Sequence, residues 1–187
     1  MSATYVGAGP EGSGGVGRRR PGTLAGMEPE RRTEEGQLTH LDRRGQARMV
    51  GVGHKRVQAR RAVAEATVMM SRAAARAISE GTLPKGDVGA VARLAGIMAA
   101  KRTPDLIPLC HPLPLDHVSV EVTTTPDVGL VTLTATVEAT ARTGVEMEAL
   151  TAAAVGALAV YDLVKGVDKT VTIERVHLLD KVKADPR

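Results

Sequence analysis

The fold is decided by Val118-Ser119-Val120-Glu121-Val122, the turn Pro126-Asp127-Val128-Gly129, and Leu130-Val131-Thr132-Leu133-Thr134-Ala135-Thr136-Val137-Glu138-Ala139. Apolar and polar residues alternate through both runs, the period of a half-buried strand. Pro126 presets φ and Gly129 suits the close of a turn, so the runs read as a hairpin. Beyond it, Thr143 to Glu148 opens a long apolar helix that reaches Val167, and Thr170 to Leu179 alternates again. Before it, Ala62 to Met70 is ambiguous, because Ala favours helix while Val and Thr favour strand; its alternation decides for strand. Ser71 is an N-cap residue for a short helix to Glu80. Asp87 caps a second helix to Arg102, with Val88, Val91, Ala92, Ala95 and Met98 expected on its core stripe. The order strand, helices, strand, strand, helix, strand is the ferredoxin-like α+β pattern, an antiparallel sheet with helices packed on one face.

Composition narrows the class. The 187 residues include no Phe, no Trp and two Tyr, so Val, Leu, Ile, Ala and Met must fill the core. Such Ala-rich helices approach one another closely and also suit subunit packing. The net charge is +4, and no basic block is interleaved with aromatics, so base stacking on aromatic platforms is excluded. One cysteine excludes an intramolecular disulfide and a Cys-cluster zinc site. No apolar run approaches the roughly 20 residues of a membrane span. The start lacks a secretory pattern, so a cytoplasmic protein is expected. Residues 1–36 hold 9 of the 20 Gly and balance five Arg against five Glu. A disordered extension is expected there, then one domain over 37–181 and a tail over 182–187.

The chemistry-bearing residues lie in four places. Leu106-Ile107-Pro108-Leu109-Cys110-His111-Pro112 sets a thiol and an imidazole side by side on a segment that two prolines keep from becoming helical. The bland reading of it is a Pro-braced turn with a buried Cys. Asp162 and Lys165 share a helix face. Such a pair is usually solvated and worth under ~0.5 kcal/mol, yet Asp162 follows an apolar run and is expected to be partly enclosed. Burial would raise its pKa and Lys165 would lower it. Glu146 and Glu148 flank Met147 at the same helix's start, where the dipole favours acids. Lys85 stands in a turn, and Lys55, Arg56, Arg60 and Arg61 form a basic cluster that either faces solvent or receives phosphates. No phosphate-binding Gly loop and no metal-ligand pair is present.

Together these pieces resemble a known family. Leu38-Thr39-His40, Ala47-Arg48-Met49-Val50, Lys85-Gly86-Asp87-Val88, Ala95 to Thr103, Leu106 to Pro112, Thr143 to Thr151 and Tyr161-Asp162 occur in its order, across Leu38 to Lys181. That family is the cyclic pyranopterin monophosphate synthases of molybdenum cofactor biosynthesis. The resemblance implies conversion of 3′,8-cyclo-7,8-dihydro-GTP to cyclic pyranopterin monophosphate with release of pyrophosphate. It also implies a ferredoxin-like subunit in a homohexamer, a trimer of dimers with the site at a subunit interface. Its catalytic Asp falls on Asp162 and its active-site lysines on Lys85 and Lys165. Its substrate-binding residues fall on Leu109, Cys110, His111, Met147 and Glu148, with Glu146, Lys55 and Arg60 in the same pocket. No metal ligand and no required cofactor follow, although a triphosphate ordinarily travels with Mg²⁺; nor is a nucleic-acid or membrane partner implied. Three departures stand out. Gly51 replaces the family's usual Asp, Leu163-Val164 replaces Met-Cys at positions expected to pack, and Lys181-Val182-Lys183 stands where a Gly-rich Lys loop is usual. They leave an alternative, a low-activity paralogue that keeps the oligomer and binds a nucleotide or partner without turnover.

Overall fold

The computed structural model describes residues 44–185; the expected disordered extension over 1–36 and the Leu38-Thr39-His40 motif lie outside the described residues. The elements are β1 (Gln58–Met69), α1 (Arg72–Ser79), α2 (Val88–Ala100), α3 (Thr103–Leu106), β2 (His117–Thr125), β3 (Leu130–Ala141), α4 (Glu146–Val164) and β4 (Thr172–Ala184). The sheet order is β2-β3-β1-β4, with every neighbouring pair antiparallel. The ferredoxin-like α+β architecture is therefore present.

Register explains which face is the core. Ala62, Ala64, Ala66 and Val68 of β1 pair with Val137, Ala135, Leu133 and Val131 of β3, and all eight are buried. Because side chains alternate across a strand, this is one face, and α4 lies over it. The ambiguous Ala62 to Met70 segment is a strand because its alanines leave room beneath that helix. The hairpin closes on Gly129, whose φ of 72° is left-handed and favours glycine. Its carbonyl accepts the Met70 N–H at 2.9 Å.

The helices pack through small residues. Gly96 of α2 faces the backbone of Ala152 on α4, and a Cβ there would lie 2.8 Å from that carbonyl oxygen. Accordingly α2 buries Val88, Ala92, Gly96, Ala99 and Ala100. This corrects the stripe expected from hydrophobicity: Val91 and Met98 are exposed, because close approach selects small residues over large ones. The same rule answers the membrane-span reading. By length and composition α4, with 19 residues and mean hydropathy 1.5, suffices to cross a membrane. Its charged residues hide that from a count of uninterrupted apolar residues. Here it covers the sheet, burying Ala149, Ala152, Ala153, Gly156 and Ala157 among others. Val164, one of the two departures expected to pack, is buried beside half-buried Leu163.

Two polar devices pin the ends. Ser71 Oγ accepts the Ala74 N–H and Asp87 Oδ1 accepts the Ala90 N–H, capping α1 and α2. Buried Asp168 accepts the Ser71 N–H at 2.6 Å and the Thr170 N–H and hydroxyl at 2.8 and 2.7 Å. It thereby ties the start of α1 to the α4–β4 connection. These donors, Ser71 first, hold its carboxyl well below the usual carboxylate range.

Gly96→Ala gains about 1 kcal/mol of helix propensity but should lose about 1–3 kcal/mol to overpacking, so urea unfolding should show net destabilisation. Asp168→Asn should cost about 2 kcal/mol at pH 7 through lost charge-assisted hydrogen bonds. A lowered folded pKa lends stability above the unfolded value of about 4 and loses it as pH falls. The difference between wild type and Asp168→Asn should therefore narrow at pH 3.

Candidate active site

The Pro-rich segment after α3 is non-helical, as its prolines dictate. The Cys110 N–H donates to the Ile107 carbonyl at 3.0 Å, and this turn carries Leu109, Cys110 and His111 to the start of α4. There they border a cavity of about 350 Å³. Glu146, Met147 and Glu148 close it from α4, while Val50, Val52 and Lys55 close it from the loop before β1. Seven residues expected to bind substrate thus meet around one space. Cys110 is half-buried rather than buried, against the bland reading of a core thiol. Gly51, between two lining valines, has open space where a side chain would project.

Burial shifts two of the groups on this cavity. Glu148 is 3% exposed, and burial pushes its carboxyl up; the Glu146 charge adds to this and a bond to its own backbone N–H opposes it. Burial and then the Glu148 charge push the Cys110 thiol up as well.

Arg60 is not on that cavity but on another of about 300 Å³, which shares Gly144 and Glu146 with it. Lys181 and Lys183 line this second space. Lys181 Nζ lies 3.3 Å from Glu146 Oε1. The carboxylate of Glu146 occupies the position a Cβ on residue 144 would take, so Gly144 is required for that pose. The strand expected to end at Leu179 runs on to Ala184, which is what brings Lys183 here. Sequence reasoning passed over Lys181 as a lining residue. The available signal was the Lys181-Val182-Lys183 alternation, a strand period carried past the last apolar pair.

Asp162, Lys85 and Lys165 form a separate cluster at the other end of α4. Lys165 Nζ reaches Asp162 Oδ1 at 2.6 Å, and Lys85 Nζ lies 3.6 Å from Oδ2. Lys85 also donates to the Asp162 carbonyl at 2.9 Å. Its reach is set by the turn in which the Gly86 N–H donates to the Leu83 carbonyl. The Asp162 side chain is 59% exposed, so the expected enclosure is not provided by its own subunit. Of the two routes to a shifted pKa, the lysine route prevails: the hydrogen bond and charge of Lys165, then Lys85, hold the carboxyl below its ordinary value. The same bond holds the Lys165 ammonium above its own. Fourteen residues of helix separate Asp162 from Glu148, about 21 Å at 1.5 Å per residue. The chain therefore presents two separate clusters of candidate site residues.

Among the described residues, no group of three or more His, Cys, Asp or Glu is placed to hold a metal ion. The MoaC family pattern matches residues 49–184. The chain belongs to the MoaC family. Its relatives include the cyclic pyranopterin monophosphate synthase of Herpetosiphon aurantiacus, 56% identical over 144 residues, covering 77% of this chain and 88% of that one. That of Thermomicrobium roseum is 56% identical over 145 residues, covering 78% and 87%. That of Rhodospirillum rubrum is 55% identical over 154 residues, covering 82% and 92%. The MoaC match runs through β4, so it spans both residue clusters and the second cavity.

Glu148→Gln tests the electrostatics. A raised folded pKa means the buried charge costs stability above the folded value and costs nothing below the unfolded value of about 4.3. The variant should gain roughly a few degrees in Tm at pH 7.5, and no gain should appear at pH 4.

Proposed function

We propose that this chain is the enzyme that converts 3′,8-cyclo-7,8-dihydro-GTP to cyclic pyranopterin monophosphate and pyrophosphate in molybdenum cofactor biosynthesis. The observation that carries the reading is the convergence of Leu109, Cys110, His111, Met147, Glu148 and Lys55 on one cavity in a MoaC-family chain. Relatives of this similarity, all named as the synthase, favour the active enzyme over a binding-only paralogue. A GTP-derived substrate also fits a cytoplasmic location.

Each group has a role that its chemistry fits. Glu148 and the Cys110–His111 segment hold the guanine-derived ring, with the Glu148 carboxylate accepting from ring N–H donors. Asp162 and Lys165 move protons during ring opening and reclosure: the ionised carboxylate accepts and the ammonium donates. In the cyclisation, a sugar hydroxyl oxygen bonds to the α-phosphorus while the bond from that phosphorus to the bridging oxygen breaks. Pyrophosphate leaves with the electron pair, and the hydroxyl proton passes to the base. Lys85, Lys55 and Arg60 stabilise the growing negative charge.

The half-sites of one subunit lie too far apart to share one reacting centre, so the complete site draws on two. This supports the homohexamer, a trimer of dimers, with the active site at a subunit interface. The exposed apolar residues Val91, Leu94 and Met98 on α2 and Leu158 on α4 supply surface for such contacts.

Turnover of the cyclised dihydro-GTP with pyrophosphate release tests the activity; wild-type protein without release contradicts it. Asp162→Asn should lower turnover by about 10²–10⁴-fold. Asp162→Ala and Glu148→Ala should each be inactive alone. Mixed with subunit exchange, they should recover about a quarter of wild-type turnover, the share of sites that draw two intact halves. No recovery would place the whole site in one subunit.

A further inference from the structure

The face of α4 turned away from the sheet is apolar where a surface helix is ordinarily polar. It carries Met147, Thr151, Ala154, Leu158, Tyr161 and Lys165, at steps of four and three residues that keep them on one stripe. Met147 and Tyr161 are exposed and Leu158 is 56% exposed; Ala154 is half-buried and Thr151 is buried. A helix that is apolar all round is ordinarily buried all round. Within one subunit only the opposite face is, by α2 and the sheet.

The stripe has an order of its own. Its steps of 4, 3, 4, 3 and 4 read the same from either end, and their midpoint is level with Gly156. Laid antiparallel about that level, two copies of the stripe face each other in register. Ala154 then meets Leu158, a small residue against a large one, as interdigitating layers require. Met147 meets Lys165. The acids of the first turn, Glu146 and Glu148, come level with the lysines that end the helix, Lys85 and Lys165. The Asp162 carboxylate of one copy comes level with Leu150 of the other, about 3 Å along the axis from Glu148. A parallel pairing would leave the two clusters as far apart as they are in one subunit.

We infer that a second copy of this chain docks on the exposed face of α4, antiparallel about a two-fold axis level with Gly156, and completes the site with its own Asp162 and Lys165. This rests on the proposed function and adds to it the contact that builds the site. A two-fold contact uses one patch on both copies, so each pairing completes two sites at once. Ala154 and Leu158 are then positioning residues: they touch no substrate but set how far the carboxylate of one copy reaches toward the cavity of the other.

Disulfide trapping in the full-length protein tests the contact without turnover. The Ala154→Cys, Leu158→Cys double variant should form a covalent dimer on mild oxidation, with the linked peptides carrying position 154 of one copy and 158 of the other. Either single variant should not, because like positions are offset by about 6 Å along the axis, beyond disulfide reach once the gap between helices is added. The single variants retain Cys110 and so control for it. Leu158→Lys should weaken self-association by about tenfold or more in sedimentation velocity and lower turnover at dilute protein, with Leu158→Met restoring both. Leu158 is exposed, so this replacement leaves the subunit's own fold in place. The inference is overturned if wild type is a monomer, if the double variant yields no covalent dimer, or if Leu158→Lys assembles and turns over as wild type does. Turnover without the expected cross-link would sink the α4 contact and leave the synthase standing. The expected cross-link in a protein without turnover would do the reverse.

Discussion

Everything in this subunit depends on how closely α4 lies against α2 and the sheet. The approach is set by missing side-chain atoms. A Cβ on Gly96 would meet the Ala152 carbonyl, and one on Gly156 would meet Leu133 at 2.8 Å. A core without large aromatics reaches native density only when backbones come this near. Such contacts notch α4 against its neighbours, so both of its ends have fixed positions. The cavity at its first turn and the lysine–aspartate cluster at its last are then set apart by the rise of the helix. The length of one helix thereby divides the candidate site residues into two separate clusters.

The second constraint is the period of the strand. Arg60 and Arg61 are adjacent in sequence but on opposite faces of β1. Arg61 is held by Glu138 and Asp180 on the open face. Arg60 meets the lysines of β4 beside the start of α4. A one-residue slip between β1 and β4 would exchange these surroundings. Asp168 guards against it from the far end, by fixing where β4 begins relative to α1.

Much of this was legible in the sequence, for physical reasons that differ by element. The hairpin was readable because its alternation is strict and its turn carries Pro126 and Gly129. The caps at Ser71 and Asp87 were readable because capping is local chemistry. The buried stripe of α2 was not: Val91 and Met98 look like core on any hydrophobic scale, and only the nearness of α4 makes Gly96 and Ala92 the inward residues. The grouping around the first cavity was implied by family motifs quoted in order, but the remoteness of Asp162 from it needed the length of α4. Lys181 lay hidden because the expected strand ended with the last apolar residues. The ladder with β1 holds five further residues, Asp180 to Ala184, with few apolar side chains to announce it.

The central claim is that one reaction site is shared by two copies of this chain. The most direct measurement is a crystal structure of the assembled protein with a cyclised dihydro-GTP analogue bound. The account predicts the ring against His111 and Glu148 of one subunit, with the Asp162 carboxylate of a second within about 3–3.5 Å of the reacting atoms. An analogue whose contacts all come from one subunit, with every Asp162 remote from it, would contradict the account.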